Sequence, residues 1–234
     1  MRERAEAILE AGIRHYIGTG EPVTSKALFD SCNFGIRPAM IRAELSALGE
    51  EGYFSQNHPS GGRIPTQKAY EFFTCRLLER EKEAKPLDRV PAVAGNLAHS
   101  LMRGDARSFV EEMARHLALL GIGYGFARDR FYESGIYELF SNLDIEEKED
   151  ILDVARDIEL IESRIGEGGA WLRKNTWPQV WIGGSPVTKS RGLSVIANRL
   201  SVGRKPFLLL MVGPVRMDYE KSLRFMNALE ESLK

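Results

Sequence analysis

Apolar residues recur along this chain in short helical stripes, and in its last third they give way to nearly unbroken runs. The first stripe, Ala5, Ile8, Leu9, Ile13, Tyr16 and Ile17, predicts a helix that Gly18 and Gly20 bring to an end. Glu21-Pro22-Val23 leads on to Ser25 and Lys26, which open a short amphipathic segment with Ala27, Leu28 and Cys32 on one face. Asn33, Phe34, Gly35 and Ile36 form a break in which Gly35 can take a positive φ. Pro38 stands where the next helix begins, a position at which its missing N–H costs nothing, and Ile41, Leu45 and Leu48 set that helix's buried stripe. Gly49 and Gly52 weaken its end, and Tyr53 to Thr66 has the polar, glycine-rich character of a β-hairpin. Thr66 is a good N-cap for a helix through Tyr70, Phe73, Leu77 and Leu78.

A charged stretch, Glu79 to Lys85, is followed by Pro86 and Pro91, and the domain boundary is expected there, giving domains 1–85 and 86–234. The second domain opens with two helices, marked by Val93, Leu97 and Leu101 and then by Phe109, Met113, Leu117 and Leu120. Ile122 to Ala127 reads as a strand despite Gly123 and Gly125. A long helix is expected from about Ile145, capped by Asp144, with Ile151, Ala155, Ile158, Ile161 and Ile165 buried. Gln179 to Ile182, Leu193 to Leu200 and Pro206 to Val212 read as strands. A last helix from Tyr219 to Leu233 turns Tyr219, Leu223, Met226 and Leu229 to the core. The fold class is α+β: an N-terminal winged helix-turn-helix followed by an α+β domain with an antiparallel sheet.

The helix begun by Pro38 carries the argument for nucleic acid. With Ile41 inward, Ala39, Met40, Arg42, Ala43 and Ser46 lie on its outer face or flanks. Small, uncharged residues suit a helix in a major groove, where apolar groups meet thymine methyls and Arg reaches guanine. The hairpin adds His58, Ser60 and Arg63 on a glycine-thinned backbone able to approach phosphates. Ser25 and Lys26 begin the helix that would cross the DNA backbone, and Arg37 adds a cation just ahead of the recognition helix. The same residues also fit the ordinary surface of a three-helix packing unit.

Charge changes this picture in one respect. The net charge of the whole chain is −1, and residues 1–85 carry twelve Lys/Arg against twelve Asp/Glu. Tight non-specific DNA binding rests on phosphate neutralisation, so a balanced domain must rely on a local patch and a dimer. Cys32 and Cys75 both fall in helical patterns and read as small buried residues rather than a disulfide. The longest apolar run, Phe207 to Val212, is too short to span a bilayer, and a cytoplasmic protein without membrane contact is expected. No phosphate loop, H-E-x-x-H, C-x-x-C or G-x-S-x-G pattern occurs. The four histidines are dispersed, so no enzyme, metal site or cofactor is expected.

The run YIGTGEPVTSKAL (Tyr16 to Leu28), PAMIRAEL (Pro38 to Leu45) and HPSGGRIPTQKAYEFF (His58 to Phe73) resembles a known family in combination. Residues 5–78 are similar to the winged-helix domain of the heat-inducible transcription repressors called HrcA. VGPVRMDYEK, Val212 to Lys221, is similar to that family's C-terminal signature. The resemblance implies a GAF-like second domain and a repressor of chaperone operons that binds an inverted-repeat DNA operator as a homodimer. It also implies regulation by the chaperonin, which keeps the repressor active until unfolded protein draws it away.

Two departures matter. Gly121 to Leu143 looks like the two sides of the family's dimerisation insert joined directly near Arg128 to Arg130, so the chain reads as a shortened member. Arg37, Met40 and Ala43 stand where the family typically has Ser, Thr and Asn, which implies a changed operator read by the same docking. Arg42 matches the family's recognition-helix arginine. Trp171, Trp177 and Trp181 cluster near a strand, and fit either core packing or a ligand pocket; a ligand-sensing regulator is the alternative function. Asp218, in the C-terminal signature, reads as an N-cap.

Overall fold

A computed structural model describes residues 2–56, 61–83, 92–143, 148–173 and 176–234. The chain divides into two compact units, Met1–Arg76 and Leu77–Lys234. The boundary expected at residues 85 and 86 lies outside the described residues, as does Asp144.

The first unit is a winged helix-turn-helix made of α1 (Glu3–Thr19), α2 (Ser25–Ser31), α3 (Pro38–Glu50), the strands β1 (Phe54–Ser55) and β2 (Ile64–Pro65), and the start of α4 (Gln67–Glu83). Ile8, Leu9 and Ile13 of α1, Leu28 of α2 and Ile41, Leu45 and Leu48 of α3 form its core, all at most 1% exposed. Gly20 closes α1 in the left-handed conformation, its N–H donating to the Tyr16 carbonyl. Charged residues tie the helices from outside. Arg76 grips Glu6 with two parallel bonds of 2.7 Å, and Arg4 donates to Glu44 at 3.1 Å. Thr66 begins α4 as expected, its hydroxyl accepting from Ala69 N–H at 3.4 Å and donating to the Gly52 carbonyl at 2.7 Å.

The second unit holds α5 (Ala92–Met102), α6 (Ala106–Leu117), β3 (Leu120–Gly125), β4 (Arg130–Ser134), α7 (Ile136–Asn142), α8 (Lys148–Glu159), α9 (Ile161–Gly166), β5 (Gln179–Ile182), β6 (Leu193–Val202), β7 (Lys205–Pro214) and α10 (Tyr219–Ser232). Its sheet has the order β4-β3-β7-β6-β5 and every pairing is antiparallel, a GAF-like α+β arrangement. Leu120, Ile122, Leu208, Leu210 and Val212 face one way, into a cluster with Leu139, Val154, Ile158, Ile161, Ile165 and Trp171. The other face meets α6: a Cβ on Gly121 would lie 2.5 Å from Met113, and one on Gly123 would lie 2.9 Å from Val110. A central strand covered on both faces loses the polar alternation of a half-solvated one. That is why Phe207 to Val212 is a continuous apolar run.

Several expectations are corrected here. The strand read at Ile122 to Ala127 is Leu120–Gly125, and β4, its hairpin partner across residues 126–129, has no apolar pattern to reveal it. The expected long helix is two helices, interrupted at Leu160, and Ile151 is 42% exposed while Val154 takes the buried position. Cys75 is exposed and Cys32 half-buried, both as thiols. The Trp cluster is core: Trp171 is 7% exposed, with Trp177 and Trp181 edge-on at 6.3 and 5.7 Å. The signature at Val212 to Lys221 closes a turn. Asp218 caps α10 by accepting from Lys221 N–H at 2.9 Å, and the buried Tyr219 hydroxyl donates to the Val215 carbonyl at 2.6 Å and is bonded to the Ser194 hydroxyl at 2.8 Å. Burial pushes the Tyr219 phenol far above its ordinary pKa, so it stays a neutral structural group.

Candidate nucleic-acid interface

The turn before α3 is built by short-range chemistry. The Asn33 side chain accepts from Gly35 N–H at 3.0 Å, and Gly35 sits at φ +66, where a side chain would be strained. Arg37 is the N-cap residue and Pro38 follows at the first helical position. At the other end Gly52 is left-handed, with Gly52 N–H donating to the Gly49 carbonyl and Tyr53 N–H to Leu48, both at 2.9 Å. This pair of bonds is a Schellman closure, and it sends the chain directly into the hairpin.

With both ends set and Ile41, Leu45 and Leu48 buried, the opposite side of α3 is fixed. Arg37, Met40, Arg42 and Ala43 are all exposed, together with Ala39 and Ser46, and none of the six is a carboxylate. Met40 is 46% exposed, an apolar side chain held against water on a helix that has no packing use for it. Lys26 of α2 is also exposed. Ser25 is different: it is 9% exposed, and the cap of α2 is Thr24, whose hydroxyl accepts from Ala27 N–H at 3.1 Å. Ser25 therefore offers a backbone position more than a side chain. His58 and Ser60 lie outside the described residues.

Arg63 is half-buried and has a structural task besides any contact with a ligand. Its backbone pairs with Val23 through two bonds of 2.8 Å, which adds a third, bridge-like partner to the two-stranded hairpin. Its guanidinium runs beside α3, where a Cβ added to Gly49 would lie 3.9 Å from its Nε. Next to it, Gly62 packs so closely on Pro22 that a Cβ there would come within 2.6–2.7 Å of the Pro22 Cβ, carbonyl carbon and oxygen. Gly12 of α1 does the same for Phe54, at 2.8 Å. Pro22-Val23 and Gly62-Arg63 are thus two halves of one contact, a pairing that neither segment reveals alone. Gly62→Ala is expected to cost about 1–3 kcal/mol by overpacking. Accelerated hydrogen exchange at the Val23 and Arg63 amides would show it; unchanged exchange would mean that the contact yields freely.

Among the described residues no group of three or more His, Cys, Asp or Glu is placed to hold a metal, and no helix is long and apolar enough to cross a membrane.

No family model matches the chain. It is similar to the heat-inducible transcription repressor HrcA of Streptomyces avermitilis, 46% identical over 77 residues, which are 33% of this chain and 23% of that protein. With the HrcA of Beutenbergia cavernae it is 40% identical over 117 residues, 50% of this chain and 32% of that protein. The matched stretches therefore span between about a quarter and a third of those relatives' length. Among solved structures, the crystal structure of a hypothetical protein at 2.2 Å resolution matches with a TM-score of 0.72 and 17% identity, covering 100% of this chain and 98% of that one. That likeness is one of fold. The chain thus shares sequence with heat-inducible transcription repressors over part of its length, and an overall architecture with this structure over all of it.

Proposed function

We propose that the chain is a DNA-binding transcriptional repressor of the heat-inducible type, acting as a homodimer on an inverted-repeat operator. The observation that carries this reading is the outer side of α3, where Arg37, Met40, Arg42 and Ala43 stand exposed without a carboxylate among them. Such a face can meet base edges and thymine methyls in a major groove, while Lys26 and Arg63 are available for phosphates. The similarity to the HrcA repressors supports the same reading. In a dimer, two copies of α3 would enter successive major grooves about 34 Å apart. By the same resemblance the targets are chaperone operons, and the chaperonin shifts the population between a DNA-competent form and an inactive one.

Fluorescence anisotropy with a labelled operator that the protein selects from a randomised inverted-repeat library, against a scrambled duplex at near-physiological salt, tests the proposal. A preference on the order of a thousandfold or more is expected. Arg42→Ala should weaken operator binding by about 1–3 kcal/mol, roughly five- to 150-fold, and narrow the preference. Equal weak binding to both duplexes would overturn the proposed operator, and no binding to either would overturn the function.

A further inference from the structure

At one end of the sheet an open groove of about 590 Å³ lies between the β3–β4 and β6–β7 turns and the α5–α6 connection. This is within the size of small-molecule sites. Its lining includes Met102, Pro206 and Phe207. Phe207 is a firm floor: it is 6% exposed, lies edge-on to Phe109 at 6.3 Å, and fills the space left by the missing side chain of Gly123. Met102 is 46% exposed and forms an apolar wall.

The cationic side of the groove is equally specific. Arg128, Arg130 and Lys205 line it, brought together from two different turns. Among the described residues none of the three forms an ion pair. Asp129, which stands between the two arginines, accepts a hydrogen bond from the Tyr124 hydroxyl and keeps its charge, so three cations face one carboxylate. The two positive charges in excess beside an apolar wall create a focused positive potential that a bound anion relieves. A compact inorganic anion would leave Met102 and Phe207 wet, and a neutral apolar ligand would leave the cations uncompensated. Only a molecule with an anionic head and a hydrocarbon body answers both.

We propose that this groove binds an amphipathic monoanion, a medium-chain carboxylate, with its head at Arg128, Arg130 and Lys205 and its tail along Met102 and Phe207. The site does not rest on the DNA-binding reading. No sequence pattern joins Arg128 and Arg130 to Lys205 and Met102, because these residues come from three separate segments.

Isothermal titration calorimetry of the full chain with decanoate tests it, with acetate and decyltrimethylammonium as the head-only and wrong-charge probes. Saturable one-to-one binding of decanoate alone is expected. The double variant Arg130→Glu/Lys205→Glu and the single variant Met102→Glu should each weaken it at least tenfold, while Arg191→Glu, exposed on another loop, should not. All the substituted side chains are exposed, and tryptophan fluorescence checks that each variant is folded. Absence of decanoate binding overturns the proposal. So does equal loss in Arg191→Glu, or acetate binding as tightly as decanoate. A concentration-dependent dimer that Met102→Glu abolishes, without decanoate binding, would assign the groove to a second copy of the chain and overturn it too.

Discussion

Asp157→Ala is expected to destabilise the second unit by about 3–5 kcal/mol, because it removes one member of a buried charge pair. Asp157 is 5% exposed near the end of α8. One carboxylate oxygen accepts from Arg164 Nη1 at 2.7 Å; the other accepts from Lys189 and Ser190 N–H at 2.7 and 2.6 Å. Arg164 Nη1 also donates to the Val187 carbonyl at 2.7 Å. The side chain therefore holds the loop between β5 and β6 against the α8–α9 corner. Alanine would leave a guanidinium and two backbone donors without their acceptor in a site closed to water. All three tryptophans, Trp171, Trp177 and Trp181, belong to this unit, so urea unfolding followed by their fluorescence reports on it alone. Asp157→Asn, which can still accept from the two N–H groups, should lose less. Equal midpoints for the alanine variant and the parent would refute the clamp.

Gly135→Ala is the second large effect, at roughly 2–6 kcal/mol. Gly135 begins α7 at φ +99, ψ 21, a conformation costing about 1–3 kcal/mol for a residue with a side chain. The added Cβ would also lie 2.2 Å from the Leu119 carbonyl oxygen and 2.8 Å from the Ala114 Cβ. Neither neighbour is a flexible tip, so the start of α7 would have to move away from α6 and the α6–β3 connection, an overpacking cost of about 1–3 kcal/mol. Gly203→Ala separates the two contributions, since Gly203 is at φ +52 with nothing within 4 Å of its added Cβ. The same fluorescence measurement should show a much smaller loss for Gly203→Ala. If the two variants lose equally, backbone strain alone is responsible and the close approach is unimportant.

What could be read from the sequence follows from the range of the forces involved. The α3 helix was legible because Pro38, the stripe of Ile41, Leu45 and Leu48, and Gly52 all act within a few residues of one another. The same holds for α10, with Asp218 as its cap and Tyr219, Leu223, Met226 and Leu229 buried. Ile151 misled because Ile151 and Val154 fit two helical stripes about equally well. The break at Leu160 lets α9 follow its own direction, so the stripe need not run straight through. The β4 strand was hidden by its place at the sheet edge, where Arg130 and Glu133 are exposed. The clamp of Asp157 on Lys189 and Ser190 and the cationic groove could not be found at all, for their members lie in separate segments that only the folded chain unites. Of the candidate interface, the exposed side of α3 was readable from helical phase, whereas the burial of Ser25 and the double duty of Arg63 depended on tertiary packing.

The separation of tasks within α3 has an evolutionary consequence. Ile41, Leu45 and Leu48 carry its packing, while Arg37, Met40, Arg42 and Ala43 touch none of the core. Mutations at the outer positions are therefore nearly invisible to folding and can accumulate without compensating changes elsewhere. On the proposed reading of α3 as a DNA-contacting helix, a lineage carrying this scaffold would drift from one target to another by altering a handful of outward side chains, with selection on the target free to run ahead of selection on the fold.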